Sequence, residues 1–168
     1  MVEFDVVDLG PAEHPGMGET APDFTRPLVT REYWEDAALS DLADGGPVLL
    51  VFTPMDGAFP ATYVWNEIRD RGWAESVTVV GLSISTPYEH KDLLEERGID
   101  YGLFSDPGNG VAREYGIDHA LDGMTGISEP RPAVFLLDTE RVVEYAWVAE
   151  EWPEFPDYDA IEDAIESL

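Results

Sequence analysis

The sequence predicts an α/β fold in which a central mixed sheet is flanked by helices, in one domain spanning residues 1–168 with an extra N-terminal strand. Three observations predict it. Val48 to Phe52 form an apolar run with no polar alternation, the pattern of a strand covered on both faces by helices. A second such run, Val77 to Ile84, follows after a helical pattern, and strand, helix and strand in succession imply a right-handed parallel crossover. The 168 residues suffice for one substantial core, whereas two domains would be cramped.

Each element has its own justification. Residues 1–10 alternate in part, with Val2, Phe4 and Val6 against Glu3 and Asp5, and Pro11 and Pro15 follow closely. Residues 1–17 therefore read as an N-terminal extension of edge strand and loop. Thr30 to Leu42, with Trp34, Leu39 and Leu42 among acids, reads as a short helix. After the strand 48–52, Thr53, Pro54, Gly57 and Pro60 break the extended run, and a helix is predicted over 61–73 with Gly72 near its end. That helix starts just beyond the strand's C-terminal end, where open α/β sheets build their sites. Trp65 and Trp73 read as packing residues.

Thr86-Pro-Tyr-Glu89 matches a capping box with proline at the first helical position, opening a helix to Arg97 that Gly98 stops. Tyr101 to Phe104 is a short strand and 111–115 a brief helix ended by Gly116. Residues 118–130, rich in Gly, Asp and Pro, read as a loop. Arg131 to Asp138 and Arg141 to Val148 form a hairpin across Thr139-Glu140. Asp157 caps a last helix with Ile161, Ile165 and Leu168 on one face.

Composition excludes several functions. Nine basic against thirty-six acidic residues give a formal charge of −27, and Lys91 is the only lysine. Such a charge repels itself at low salt and is tolerated at molar salt, where the Debye length is about 3 Å, so a salt-adapted, halophilic cytoplasm is expected. No basic stripe exists to neutralise phosphates or meet anionic lipids, so neither nucleic acid nor membrane is an expected partner. The N-terminus MVEFDVVDLG has no positively charged region of a secretory leader, and no apolar run approaches the ~18 residues of a spanning helix. Zero cysteines exclude disulfides, thiolate metal sites and thiol catalysis together.

Several motifs in order carry a resemblance. Gly18-Glu-Thr-Ala-Pro-Asp-Phe24, Leu39-Ser-Asp-Leu42, the strand with Pro54, Phe59 and the helix bearing Glu67, Ser105-Asp106 followed by Tyr115-Gly116, and Arg131 before an apolar strand ending in Asp138 recur with matching gaps. Over about residues 18–150 this resembles the peroxiredoxins, the alkyl hydroperoxide reductase and thiol-specific antioxidant (AhpC/TSA) family of redoxins, and so implies a thioredoxin-like fold. In that family the segment after the strand carries a Thr or Ser and, three residues later, the peroxidatic cysteine on the helix's first turn. Counting on from Phe59 puts Tyr63 at that place, counting back from Glu67 puts Val64 there, and the hydroxyl position becomes Pro60 or Ala61. The resemblance thus implies a pocket bordered by Pro54, Phe59, Tyr63, Val64 and Arg131 with no nucleophile.

Arg131 reads either as a residual anion site beside Pro54 and Tyr63 or as one half of an ion pair. Neither tyrosine nor valine is a peroxide nucleophile near neutral pH. Pro132 reads as a trans proline. His14, His90 and His119 lie far apart; Asp118-His119 with Asp122 reads as a solvated loop, and no cofactor or metal is expected. Gly81 to Ser85 departs from the G-x-S-x-G elbow because Ser85 stands where glycine is needed. Met55 borders the site as an oxidisable side chain. Tyr145, Trp147, Trp152, Phe155 and Tyr158 gather late in the chain and would mark a partner surface if exposed. Two functions stay open: a binding or assembly protein, as a homodimer or beside a related redoxin, and an oxidoreductase or antioxidant-type enzyme reusing the pocket around Tyr63 and Arg131.

Overall fold

A computed structural model describes residues 6–121 and 123–168 of the chain. Strand β1 (Val7–Asp8) lies in the N-terminal extension and pairs antiparallel with β11 (Glu151–Trp152), while residues 1–5 of the predicted strand lie outside the described residues. After the Gly18–Phe24 motif come β2 (Thr25–Val29) and β3 (Trp34–Ala38), an antiparallel pair. The expectation of a helix over Thr30 to Leu42 is corrected here: Trp34–Ala38 is an edge strand, and α1 (Leu39–Asp44) starts only after it. Trp34, Glu35 and Asp36 are exposed, and charges on an edge strand discourage further strand pairing.

The predicted crossovers follow. β4 (Val48–Phe52), α2 (Phe59–Arg71), β5 (Thr78–Ser83), α3 (Pro87–Arg97) and β6 (Gly102–Ser105) alternate, and the three strands pair parallel. Helix α2 starts two residues earlier than predicted, with Pro60 at its second position, and stops at left-handed Gly72, so Trp73 belongs to a separate short turn. The Thr86–Glu89 capping box forms as read, and left-handed Gly98 ends α3.

Helix α4 (Gly110–Glu114) leads to β7 (Asp118–His119) and β8 (Glu129–Pro130), which pair at the two ends of the segment read as a plain loop. β9 (Ala133–Leu137) and β10 (Val143–Val148) form the expected hairpin, and α5 (Tyr158–Glu166) closes the chain. The Asp157 carboxylate accepts from the Ala160 amide as its cap; Ile161 and Ile165 are buried, but Leu168 lies beyond the helix and is exposed.

Among the described residues the main sheet has seven strands in the order β10-β9-β4-β5-β6-β2-β3, mixed in direction. β4 has partners on both sides, which explains its unalternated run: Val48, Leu50 and Phe52 enter one core with Phe104, Tyr115 and Phe135, while Leu49 and Val51 enter the other with Trp65, Ile68 and Leu94. Helices α2, α3 and α5 cover the second face and α1 and α4 the first. Gly81 is required by close approach, since a Cβ there would stand 2.8 Å from Trp65 Cη2 and 2.6 Å from a Leu103 methyl. Among the described residues no helix is long and apolar enough to cross a membrane.

Candidate functional site

The site region lies where β4 ends and α2 begins. The Thr53 amide donates to the Leu82 carbonyl at 3.1 Å, prolonging the β4–β5 pairing by one residue before Pro54 ends it. Residues 55–58 turn, and α2 opens on Phe59, Pro60 and Ala61 with Ala58 at the cap position. Ala58 has no side-chain oxygen, so no side-chain cap forms where a Ser or Thr would supply one.

Against this helix start lies a cavity of about 10 Å³ whose lining includes Thr53, Pro54, Ala61, Val64, Pro132 and Trp147. That volume holds about one water molecule at most. Ala61 is 2% exposed on the first turn, and Thr53 is the one lining residue with a side-chain hydroxyl. This apolar space has no acid or base in its lining, whereas a second cavity of about 310 Å³ that also reaches Ala61 is lined by Asp56, Thr62, Glu89, Asp92, Glu96 and Arg97.

Of the five residues expected around the pocket, the structure brings only Pro54 and Val64 to the cavity. Tyr63 points away from it: the side chain is half exposed, its ring 5.7 Å from Phe59 and 5.4 Å from Phe155, with Phe59 and Phe155 6.2 Å apart. The three aromatics form one exposed patch beside the helix start.

Arg131 departs from both of its readings. It is 7% exposed, and its guanidinium donates to three carbonyls, Gly10 at 2.6 Å, Leu9 at 3.1 Å and Ala149 at 3.3 Å. Neither the small cavity nor, among the described residues, a carboxylate engages it. Arginine here fastens the N-terminal extension onto the end of β10, using donors that match backbone acceptors. Pro132 is trans; the cis peptide among the described residues is Trp152–Pro153.

A polar network underlies the loop. The Asp56 amide donates to Ser85 Oγ at 2.8 Å, and the Asp56 carboxylate lies 2.8 Å from Nδ1 of His90. His90 is 1% exposed, and its Nε2 donates to the Phe104 carbonyl at 2.9 Å. Ser105 Oγ donates to the Ser85 carbonyl at 2.6 Å, and the Asp106 amide donates to the Ser83 carbonyl at 2.9 Å. Ser83, Ser85, Ser105 and Asp106 sit at or just beyond the C-terminal ends of β5 and β6, and Ser85 with His90 of α3 ties down Asp56 in the 53–58 turn. In the sequence Ser83 and Ser85 show only the elbow they fail to make and His90 stands isolated; the signal available for it is its spacing within α3.

The remaining candidates separate. Trp147 lines the small cavity, Tyr145 and Tyr158 pack against the core that α2 and α5 cover, and Phe155 joins the patch. Arg71 pairs within α2 with Glu67 at 2.7 Å and ties α2 to α5 through Asp159 at 3.0 Å and Glu162 at 3.2 Å. Asp118 and His119 sit in β7, and Asp122 lies outside the described residues. Burial pushes the Tyr115 hydroxyl well above the ordinary tyrosine range, and it donates to the Pro22 carbonyl at 2.7 Å, anchoring the Gly18–Phe24 segment.

Comparison with known proteins fits this geometry. The AhpC/TSA family profile matches residues 17–146. A Mycobacterium tuberculosis (strain H37Rv) protein named as a peroxiredoxin is 31% identical over 129 residues, covering 75% of this chain and 80% of that protein. The chloroplastic peroxiredoxin Q of Oryza sativa subsp. japonica is 26% identical over 140 residues, 82% of this chain, which spans 61% of that longer protein. The solved peroxidoxin BcpB from Mycobacterium tuberculosis superposes with a TM-score of 0.74 at 28% identity, covering 92% and 96% of the two chains. The thiol peroxidase from Chromobacterium violaceum shares the fold, with a TM-score of 0.75 at 22% identity over 99% and 98% of the chains. A thioredoxin-like mixed sheet, motifs in the family's order and a match over most of the chain place it in the AhpC/TSA family, as a member without cysteine.

Proposed function

We propose that this chain is a non-catalytic redoxin that acts, within a single domain, as a binding or assembly protein, in which Ala61 stands where the family carries its peroxidatic cysteine. The observation that carries this is Ala61 itself, buried on the first turn of α2 and lining the small apolar cavity with Pro54, with Ala58 three residues before it. Thiolate attack on a peroxide O–O bond needs a sulfur that the chain does not have. The competing reading, an enzyme reusing the pocket around Tyr63 and Arg131, lacks support because neither residue lines the small cavity and both terminal nitrogens of Arg131 are taken by carbonyls.

What the site region offers instead is contact area. The Phe59–Tyr63–Phe155 patch supplies aromatic surface of the kind that anchors interfaces, and self-association through it, or association with a related redoxin, is the binding mode we infer. The charge of −27 supports a salt-rich cytoplasm as the setting, because screening weakens the repulsion between two such chains. Sedimentation velocity in molar KCl tests the reading. Wild type should sediment as a dimer and Tyr63→Asp as a monomer, and a wild type that stays monomeric over the accessible concentrations would contradict self-association.

A further inference from the structure

We propose that a cavity between the C-terminal halves of α2 and α3 binds a small aromatic carboxylate, with the ring against Trp65 and Ile68 and the carboxylate held by Arg97 and the Tyr101 hydroxyl. This site is remote from the helix start and does not depend on the function proposed above. The cavity measures about 220 Å³, and its lining includes Trp65, Ile68, Arg69, Arg97, Ile99 and Tyr101. An apolar cavity of about 150 Å³ accommodates benzene, so a single ring with one substituent fits.

Three observations set the chemistry. First, the Tyr101 hydroxyl is buried and makes no hydrogen bond, a condition that native proteins rarely leave unanswered. Burial holds that hydroxyl protonated far above the ordinary tyrosine range, Arg69 opposing in part, so it is a donor in want of an acceptor. Second, Arg97 makes one long bond, 3.3 Å to Thr62 Oγ1, and no ion pair among the described residues, in a chain where acids outnumber bases four to one. Third, the Trp65 and Tyr101 rings, 5.9 Å apart and tilted by 47°, present an aromatic wall.

A carboxylate brings one charge and two acceptor oxygens to these two donors. A phosphate dianion would face the same two donors while carrying more charge into the field of a −27 chain. Two acids also line the cavity. Asp100 pairs with Arg31, and Glu75 opposes the ligand's charge, which gives the test a variant that should gain affinity.

Benzoate, titrated calorimetrically into the full chain in molar KCl, is the probe, with benzyl alcohol as the uncharged ring. Saturable benzoate binding is expected, at least about tenfold tighter than that of benzyl alcohol, with Tyr101→Phe and Arg97→Gln each weakening it about tenfold and Glu75→Gln tightening it. Unsaturable heats would overturn the proposal. So would benzyl alcohol binding as tightly as benzoate, or benzoate affinity unchanged in both Tyr101→Phe and Arg97→Gln. Because Glu75 is exposed on the rim, Glu75→Gln keeps the test decisive if a lining variant fails to fold, and unchanged or weaker binding there contradicts the charge argument.

Discussion

The two ends of α2 contrast within one helix. At its start the space beside Pro54, Val64, Pro132 and Trp147 is about 10 Å³ and apolar but for Thr53, while a larger one of about 310 Å³ runs from Asp56 and Ala61 to Glu89 and Arg97. Toward its end the space is about 220 Å³ and carries two guanidinium groups and an unbonded hydroxyl. The family's scaffold is thus kept in a chain that has no cysteine to place at that end. On the reading proposed above, only a few side chains, Ala58 and Ala61, separate this helix start from a catalytic one, because strand, turn and crossover are specified by burial and by the network beneath them.

The contrast can be broken or sharpened in graded steps. The largest effect is expected from His90→Ala, which removes the tie under the helix start and leaves the Phe104 carbonyl and the Asp56 carboxylate without their partner. A loss of about 3 kcal/mol in urea unfolding is predicted, and a loss below about 1 kcal/mol would show that the turn holds without it.

Gly81→Ala comes next. It drives a methyl into Trp65 and Leu103 and should lower stability by about 2 kcal/mol. Trp65 lines the larger cavity, so the same change should alter its fluorescence, and an unchanged spectrum would argue against the contact.

Tyr101→Phe should leave the ligand-free protein no less stable, or raise its stability by up to about 1 kcal/mol, since it deletes a buried group with no partner. Clear destabilisation would mean the hydroxyl is bonded after all.

The smallest effect is at Glu154, next to the aromatic patch. Burial, and then the charges of Glu151 and Glu150, push its carboxyl above the ordinary 4.5, against a backbone hydrogen bond from Glu150 that lowers it. Its ionised form therefore weakens the fold as pH rises through its folded value, and that penalty is absent once pH is below 4.5. Glu154→Gln should give a small rise in melting temperature at neutral pH and low salt, shrinking in molar KCl and vanishing below pH 4.5. A gain that persists in acid would point to packing rather than charge.

These elements also show where the sequence was legible. β4 could be read directly, because both of its faces are buried and no alternation survives. The start of α3 was equally plain, since its capping box is a purely local signal. β3 was not, because an acidic edge strand owes its form to the β2 partner rather than to its own pattern. Counts from Phe59 and from Glu67 lead to Tyr63 and Val64, whereas Pro60 at the second helical position puts the first turn at 59–62, the turn that bears Ala61. Arg131 was out of reach altogether, for its partners at Leu9 and Gly10 lie more than a hundred residues away in the chain.

The central claim is that the family's scaffold survives here without its chemistry, and peroxide consumption tests it most directly. In molar KCl with a small-thiol reductant, the wild-type chain should be indistinguishable from a control without protein. Ala61→Cys, by contrast, should gain one oxygen on its new thiol by mass spectrometry, which Tyr63→Cys, on the exposed patch, should not match in rate. Turnover by the wild-type chain would contradict the account, because it would require a reacting group other than any thiol.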